Sequence, residues 1–166
     1  PNAKLSFRSW LRPSFIANAQ ASSAEMAGVR TAILGSLWTI LITLVVAFPL
    51  GVGAAIYLEE YAADTRLTRL IRTNITNLAG VPSIVYGLLG LTVFVETLRG
   101  LTGGRSIIAG GLTLAVLVLP IVIITAAEAL RAVPDSIREA GFGVGAARWE
   151  VTRGHVLPYA APGILT

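Results

Sequence analysis

Residues 34–58 read LGSLWTILITLVVAFPLGVGAAIYL, inside a run of 28 residues from Thr31 to Leu58 that carries no charge. A helix rises about 1.5 Å per residue, so about 20 apolar residues cross the hydrocarbon of a bilayer. The run is therefore read as a transmembrane helix. Pro49 would break a soluble helix, but a membrane helix tolerates it where neighbours satisfy the freed carbonyl. Ala47, Gly51 and Ala55 recur every four residues and draw a small-residue stripe. Two readings of that stripe stand side by side: a face for close helix packing, or the ordinary alanine and glycine content of such helices.

Two more uncharged runs follow. NITNLAGVPSIVYGLLGLTVFV, residues 74–95, is 22 residues long and is interrupted by Gly80 and Pro82. A proline after a glycine break is a helix-start signal, so the helix proper is expected from near Val81, with a short separate helical piece before it. SIIAGGLTLAVLVLPIVIITAA, residues 106–127, is a third run of 22 residues, with Pro120 inside. Spans placed at 34–58, 74–98 and 106–130 make the chain an all-α, polytopic integral membrane protein. Composition agrees, with 54% hydrophobic residues, a mean hydropathy of +0.74 and only 13% charged residues. A soluble domain carries about a quarter charged residues.

Chain order puts residues 59–73 and the segment after the third span on one side, and residues 1–30 and 99–105 on the other. The comparison of flanking charge is seven Lys/Arg against six, so the positive-inside rule leaves orientation open. Arg72, Arg99 and Arg105 flank spans and suit head-group anchoring; attraction of a passing anion is the other reading. Glu128 closes the third span and is placed to snorkel to the interface. The opening PNAKLSFRSW has no apolar core of signal-peptide length and no initiator Met. An apolar run starts again at PGILT, so the sequence reads as a piece of a longer protein.

Several chemistries are excluded. There is no cysteine and a single histidine, His155, which argues against a disulfide framework and a metal cluster. The 13 Lys/Arg are scattered rather than gathered into a patch, which argues against nucleic-acid binding despite a net charge of +4. The sequence has no G-x-x-x-x-G-K-[ST] phosphate loop; GLTGGRS at 100–106 lacks the lysine and a preceding strand. With no nucleophile beside a base and no paired carboxylates, no catalytic residue is assigned and the chain is not expected to be an enzyme.

A glycine-studded, charged segment, EAGFGVGAARWEVTRGHVLP, occupies residues 139–158 after the third span. Pro134 suits a helix's first turn, and Ser136 with Glu139 fits an S-x-x-E capping box. Ile137, Ala140, Gly141 and Val144 share one small apolar face. Gly141 and Gly143 each cost roughly 1 kcal/mol relative to alanine, so the piece needs a packing partner. Gly145 is placed to end the helix in a left-handed conformation, after which AARWEVTR forms a second short helix ending at Gly154. A helix, a tight turn and a second helix on one membrane face transmit force better than they catalyse.

The pattern Glu139, Ala140, Gly141, then Gly145, then His155, Leu157 and Pro158 resembles the EAA loop of ABC importer permeases. Gly141 stands where a second alanine is usual and His155 where an aliphatic is. With GVGAAIYLEEYA (51–62), AGVPSIVYGLLGLTVFV (79–95), AGGLTLAVLVLPIVI (109–123), EALRAVPDSIREA (128–140) and LPYAAPGILT (157–166), the chain from about residue 31 onward is similar to the PstA-type permease family of phosphate-specific importers.

The resemblance implies a type I ABC importer transmembrane domain over 31–166, of which this chain holds three complete spans of about six and the EAA coupling loop at 131–157. It implies a multi-pass protein of the bacterial inner membrane, with residues 59–73 and the coupling loop inside and residues 1–30 extracytoplasmic. Implied partners are a PstC-like second permease subunit, a PstB-like cytoplasmic ATPase dimer carrying ATP and Mg, and a PstS-like periplasmic phosphate-binding protein. Coupling falls to Ser136, Glu139, Ala140, Gly141, Gly145, Arg148, Leu157 and Pro158. Glu139 acts either as a helix cap or as a contact to the ATPase, and Trp149 as an interfacial anchor or a docking residue. The break at Gly80, Pro82, Ser83 and Tyr86 is a candidate substrate path, because a helix N-terminus near Ser83 offers free N–H groups to an anion. The alternative is a packing kink with a small face at Ser83 and Gly87. Rival functions are permeation of molybdate, sulfate or an amino acid, the role of the PstC-type partner, and secondary transport.

Overall fold

The computed structural model describes residues 13–20 and 28–166, so most of the expected extracytoplasmic segment, residues 1–12 and 21–27, lies outside the described residues. Helix α1 (Pro13–Ala17) precedes α2 (Arg30–Ile56), which continues as a π turn through Tyr61. Then come α3 (Arg66–Ala79), α4 (Ser83–Gly90, widened into a π turn through Thr97), α5 (Arg99–Thr102) and α6 (Ile107–Arg131). The chain closes with α7 (Asp135–Gly143), α8 (Arg148–Val151), a π turn (Thr152–Val156) and α9 (Leu157–Leu165).

Among the described residues two helices are long and apolar enough to cross a membrane, Arg30–Tyr61 with 32 residues and Ile107–Arg131 with 25. They pack on each other through small residues. The buried positions of α2 are Ala47, Gly51 and Ala55, the stripe visible in the sequence. Opposite them α6 buries Ala109, Gly111, Ala115, Ala126 and Ala127. A Cβ on Gly51 would lie 2.6 Å from a Val122 methyl, and one on Gly111 would lie 2.7 Å from the Ile42 side chain. The pairing of Ile42 with Gly111 and of Gly51 with Val122 makes the two helices parallel. Thr43 donates a hydrogen bond to the Gly111 carbonyl at 3.1 Å across that seam. Leu37, Trp38, Ile40, Leu44 and Val45 face outward and are exposed. Small residues inside and large ones outside is the arrangement of helices associating in lipid, where apolar side chains gain nothing by hiding.

A parallel pair needs a return path, and the second apolar run supplies it in two pieces. Helices Arg66–Ala79 and Ser83–Thr97 meet at a 95° bend. The separate piece before the break is 14 residues long, and the helix after it starts at Ser83, with Pro82 as its cap rather than in its first turn. Gly90 backs against Thr113, and the Thr102 hydroxyl donates to the Phe94 carbonyl at 2.6 Å just before α6 begins. These contacts run α4 antiparallel to α6. Ser83, seven residues below Gly90, therefore stands about 10 Å closer to the C-terminal end of α6.

The small face expected at Ser83 and Gly87 is not where α4 packs. Both are exposed and Gly87 has no neighbour within 4 Å of an added Cβ; Tyr86 and Gly90 are the buried positions. The ring of Tyr86 turns inward because its hydroxyl donates to the Leu78 carbonyl at 2.9 Å, tying the two sides of the break together.

The glycine contacts yield a paired test. Replacing Gly111 with leucine overpacks the α2–α6 seam and should cost on the order of 1–3 kcal/mol. Gly110, beside it, has open space. Gly110→Ala should hold or raise the midpoint of detergent unfolding, because alanine is the better helix former, while Gly111→Leu lowers it.

Candidate functional site

The hairpin α7–α8 is built onto the end of the helix pair by an apolar cluster of Ala55, Ala126, Ala127, Leu130, Val133, Val151, Val156 and Ala160. Ile137 from α7, Ala146 from the turn and Leu157 from α9 pack against it. Gly141 is the tightest point. A Cβ there would lie 2.7 Å from a Val151 methyl, so the glycine at this motif position is what lets α8 lie against α7.

The turn is a Schellman motif. Gly145 has φ +83°, the Ala146 amide donates to the Gly141 carbonyl at 3.2 Å, and the Gly145 amide donates to Phe142 at 2.9 Å. The left-handed conformation expected at Gly145 is present.

Two local expectations are corrected. Ser136 and Glu139 do not form a capping box: the helix begins at Asp135 with Pro134 as its cap, and no side chain caps it. Pro134 takes the extended backbone conformation that a cap requires and its carbonyl accepts from Ile137 at 3.1 Å, which places Ser136 two residues past the cap, inside the first turn. A carboxylate does cap the second helix, where Glu150 accepts from the Ala147 amide at 2.8 Å. That second helix also does not end at Gly154. It widens into the π turn Thr152–Val156 and runs on through Leu165. The wide turn falls just ahead of Pro158, whose ring would otherwise crowd the carbonyl four residues back.

The site residues separate into two groups. Ser136, Glu139, Ala140, Gly145, Arg148 and Pro158 are exposed, while Gly141 is buried and Leu157 is half-buried against the apolar cluster. The exposed side also presents Phe142, Val144 and Trp149; Val144 is 84% exposed and Trp149 56%. The Arg148 guanidinium stands 6.0 Å over the Tyr61 ring. His155 is exposed too. At the other break, Pro82 and Ser83 are exposed and Tyr86 is buried.

Sequence reading missed the ionic base beneath the hairpin. Glu59 and Glu60, at the end of α2, are only 11% and 9% exposed. Glu59 accepts from Arg131 at 2.7 and 3.0 Å and also from Arg72, which reaches the Leu58 carbonyl as well. Glu60 accepts from Arg138 at 2.8 Å. The same guanidinium donates to the Leu130 carbonyl at 2.9 Å, the Val133 carbonyl at 2.8 Å and Asp135 at 3.1 Å. The hydrogen bonds that Arg138 donates to Glu60, together with the negative charges of Glu60 and Asp135, raise its pKa and outweigh the opposing effect of burial. Arg72 is thus an ion-pair partner rather than a free head-group anchor. The only sequence signal was two adjacent carboxylates closing an apolar run, with arginines 13, 72 and 78 residues away.

No cluster of His, Asp or Glu that could hold a metal occurs among the described residues. What the arrangement offers is mechanical: an exposed apolar and charged knob, fixed to the end of a helix pair whose outer surface suits lipid.

Helices of this kind, packed through small residues with large apolar side chains outside, are those of a membrane-embedded protein. Residues 47–166 match the family described as binding-protein-dependent transport system inner membrane component, and the chain belongs to it. It is 37% identical over 153 residues to a probable ABC transporter permease, YqgI, of Bacillus subtilis, covering 92% of this chain and 51% of that protein. It is 39% identical over 139 residues to the phosphate transport system permease PstA 1 of Mycobacterium tuberculosis, covering 84% and 44%. The PstC permease of Mesorhizobium japonicum is 33% identical over 163 residues, covering 85% and 50%. The chain thus spans about half the length of the curated relatives it matches. No solved structure matches the chain.

Because Gly141 touches Val151, Gly141→Ala should lower stability by about 1–2 kcal/mol, although alanine is the usual residue of the motif. Adding Val151→Ala removes the colliding methyls, so the double variant should lose less through this contact than additivity predicts. Thermal unfolding of both, with Gly143→Ala in open space as control, checks the contact.

Proposed function

We propose that this chain is part of a permease subunit of an ATP-driven importer of inorganic phosphate. The observation that carries the reading is the hairpin: its apolar and charged tip is exposed, while its base is fastened to the helices that cross the membrane. Phe142, Val144, Trp149, Arg148 and Glu139 form the surface offered to a cytoplasmic ATPase. Gly141, Gly145 and Leu157 keep that surface in shape. Rocking of the hairpin by closure of an ATPase dimer would alternate access to the pathway. This orientation puts Glu59 and the hairpin in the cytoplasm and residues 99–105 outside, in a bacterial inner membrane.

Phosphate as substrate is supported by relatives named as phosphate permeases, two of which carry the PstA and PstC names. The resemblance spans both, so the second permease subunit of the proposed importer is a homologous chain. A binding protein outside and ATP with Mg on the ATPase complete the assembly. The substrate path is proposed to pass the break at Gly80–Tyr86, where Ser83 is exposed at the start of α4. The weaker rivals are importers for sulfate, molybdate or an amino acid. A carrier driven by an ion gradient fits less well, because no ionised side chain lies within the three uncharged runs.

Reconstitution of the full-length protein with its partner subunits tests this. Radiolabelled phosphate uptake should require both ATP and the binding protein and should withstand excess sulfate or molybdate. Uptake without the ATPase, or displacement by sulfate, contradicts it. In the same vesicles Ser83→Val should raise the half-saturating concentration or lower the rate, whereas unchanged kinetics in Ser83→Ala and Ser83→Val remove that position from the path.

A further inference from the structure

Glu60 and Arg138 are 78 residues apart in the chain and make a bond that does more than hold a surface loop. From α7, the Arg138 side chain reaches Glu60 beyond the end of α2, and the same guanidinium also takes the Leu130 carbonyl at the end of α6 and the Val133 carbonyl just after it. One residue before Glu60, Glu59 is gripped by Arg131 of α6 and by Arg72 of α3. The two neighbouring carboxylates therefore tie four elements together: α7, the C-terminal ends of α2 and α6, and α3. From Arg72, α3 runs on for two turns to the 95° break before α4.

We infer that Arg138 is a positioning residue that makes α7 and the ends of α2, α6 and α3 a single rigid body, so that displacement of the hairpin is delivered to the Gly80–Pro82 break. The inference rests on the reading of α7–α8 as the ATPase-docking element and adds the route by which its movement enters the membrane. Three physical facts support it. Glu60 is nearly out of solvent, so it cannot exchange Arg138 for water without exposing or stranding its charge. The guanidinium is planar and, Asp135 apart, its acceptors are a buried carboxylate and two backbone carbonyls, so the joint has little freedom to swivel. The break at Gly80–Pro82 combines a small residue with a proline that interrupts helical hydrogen bonding, which makes it the place to absorb a change of angle. The apolar cluster alone would allow α7 to slide, because its contacts with α7 are a glycine and Ile137.

These 166 residues contain no cysteine, so on a background cleared of any cysteine elsewhere in the complex the joint can be opened and closed again chemically. In the reconstituted full-length complex, Glu60→Cys with Arg138→Cys removes both charges. Phosphate uptake per ATP hydrolysed should fall by about tenfold, within the usual range of coupling free energies, while the subunits still co-purify. A short bismaleimide that bridges the two thiols should restore uptake per ATP toward the wild-type ratio. Should the double variant fail to assemble, Glu60→Gln is read by the same ratio and should reduce it. Normal coupling in the unbridged variant, or in Glu60→Gln, overturns the inference; so does a bridged protein that remains uncoupled. Failure of the importer reading itself shows elsewhere, as an absence of binding-protein-stimulated ATP hydrolysis in the wild-type complex.

Discussion

A guanidinium keeps its proton at any pH a cell experiences, so Arg138 has to be neutralised where it lies. It lies at the junction of an apolar helix pair with a polar hairpin, and Glu60 is the carboxylate brought to meet it. That requirement fixes much else. The end of α2 must stand beside the end of α6, which requires the two helices to run parallel and in register, which in turn requires the small residues of their seam. The Leu130 carbonyl at the end of α6, which otherwise accepts a long 3.3 Å bond from the Val133 amide, and the Val133 carbonyl just beyond the helix are taken by the same arginine. Charge pairing and helix capping are thus one interaction here.

The rest of the chain follows from this geometry. Parallel neighbours cannot be joined by a short turn, so the connection has to travel back along them, and it does so as a broken helix bent through 95°. Glycine and alanine line the seam because close approach, rather than the exclusion of water, is what holds helices together in lipid. The large apolar side chains face outward for the same reason, and they are the surface that lipid or further spans cover.

Much of this was legible in one sequence. Uncharged runs marked the two long helices, the four-residue spacing of Ala47, Gly51 and Ala55 marked the seam, and Gly145 marked a left-handed turn; each signal is local and has a single physical cause. The ionic base was not legible, because its partners are separated by 13 to 78 residues and only the fold brings them together. The Ser136–Glu139 pattern misled since Pro134, which binds no proton donor through a side chain, already occupies the cap with its backbone. Gly154 misled since a π turn can absorb a glycine and a following proline without ending the helix. Gly141 stands in the sequence only as a glycine where the motif has a second alanine, whereas in the fold it is the contact on which the hairpin closes.

The central claim is that the hairpin and the ends of the helix pair move together. Nitroxide labels on introduced cysteines at Tyr57 and Val144, both exposed, would report it in the assembled, reconstituted complex. Pulsed electron resonance should give the same distance between them with ATP bound and without nucleotide, even as either label moves relative to the far end of α4. A distance between residues 57 and 144 that changes by several ångströms, roughly the one-turn shift of 5 Å that packed helices make when they slip, would contradict the account.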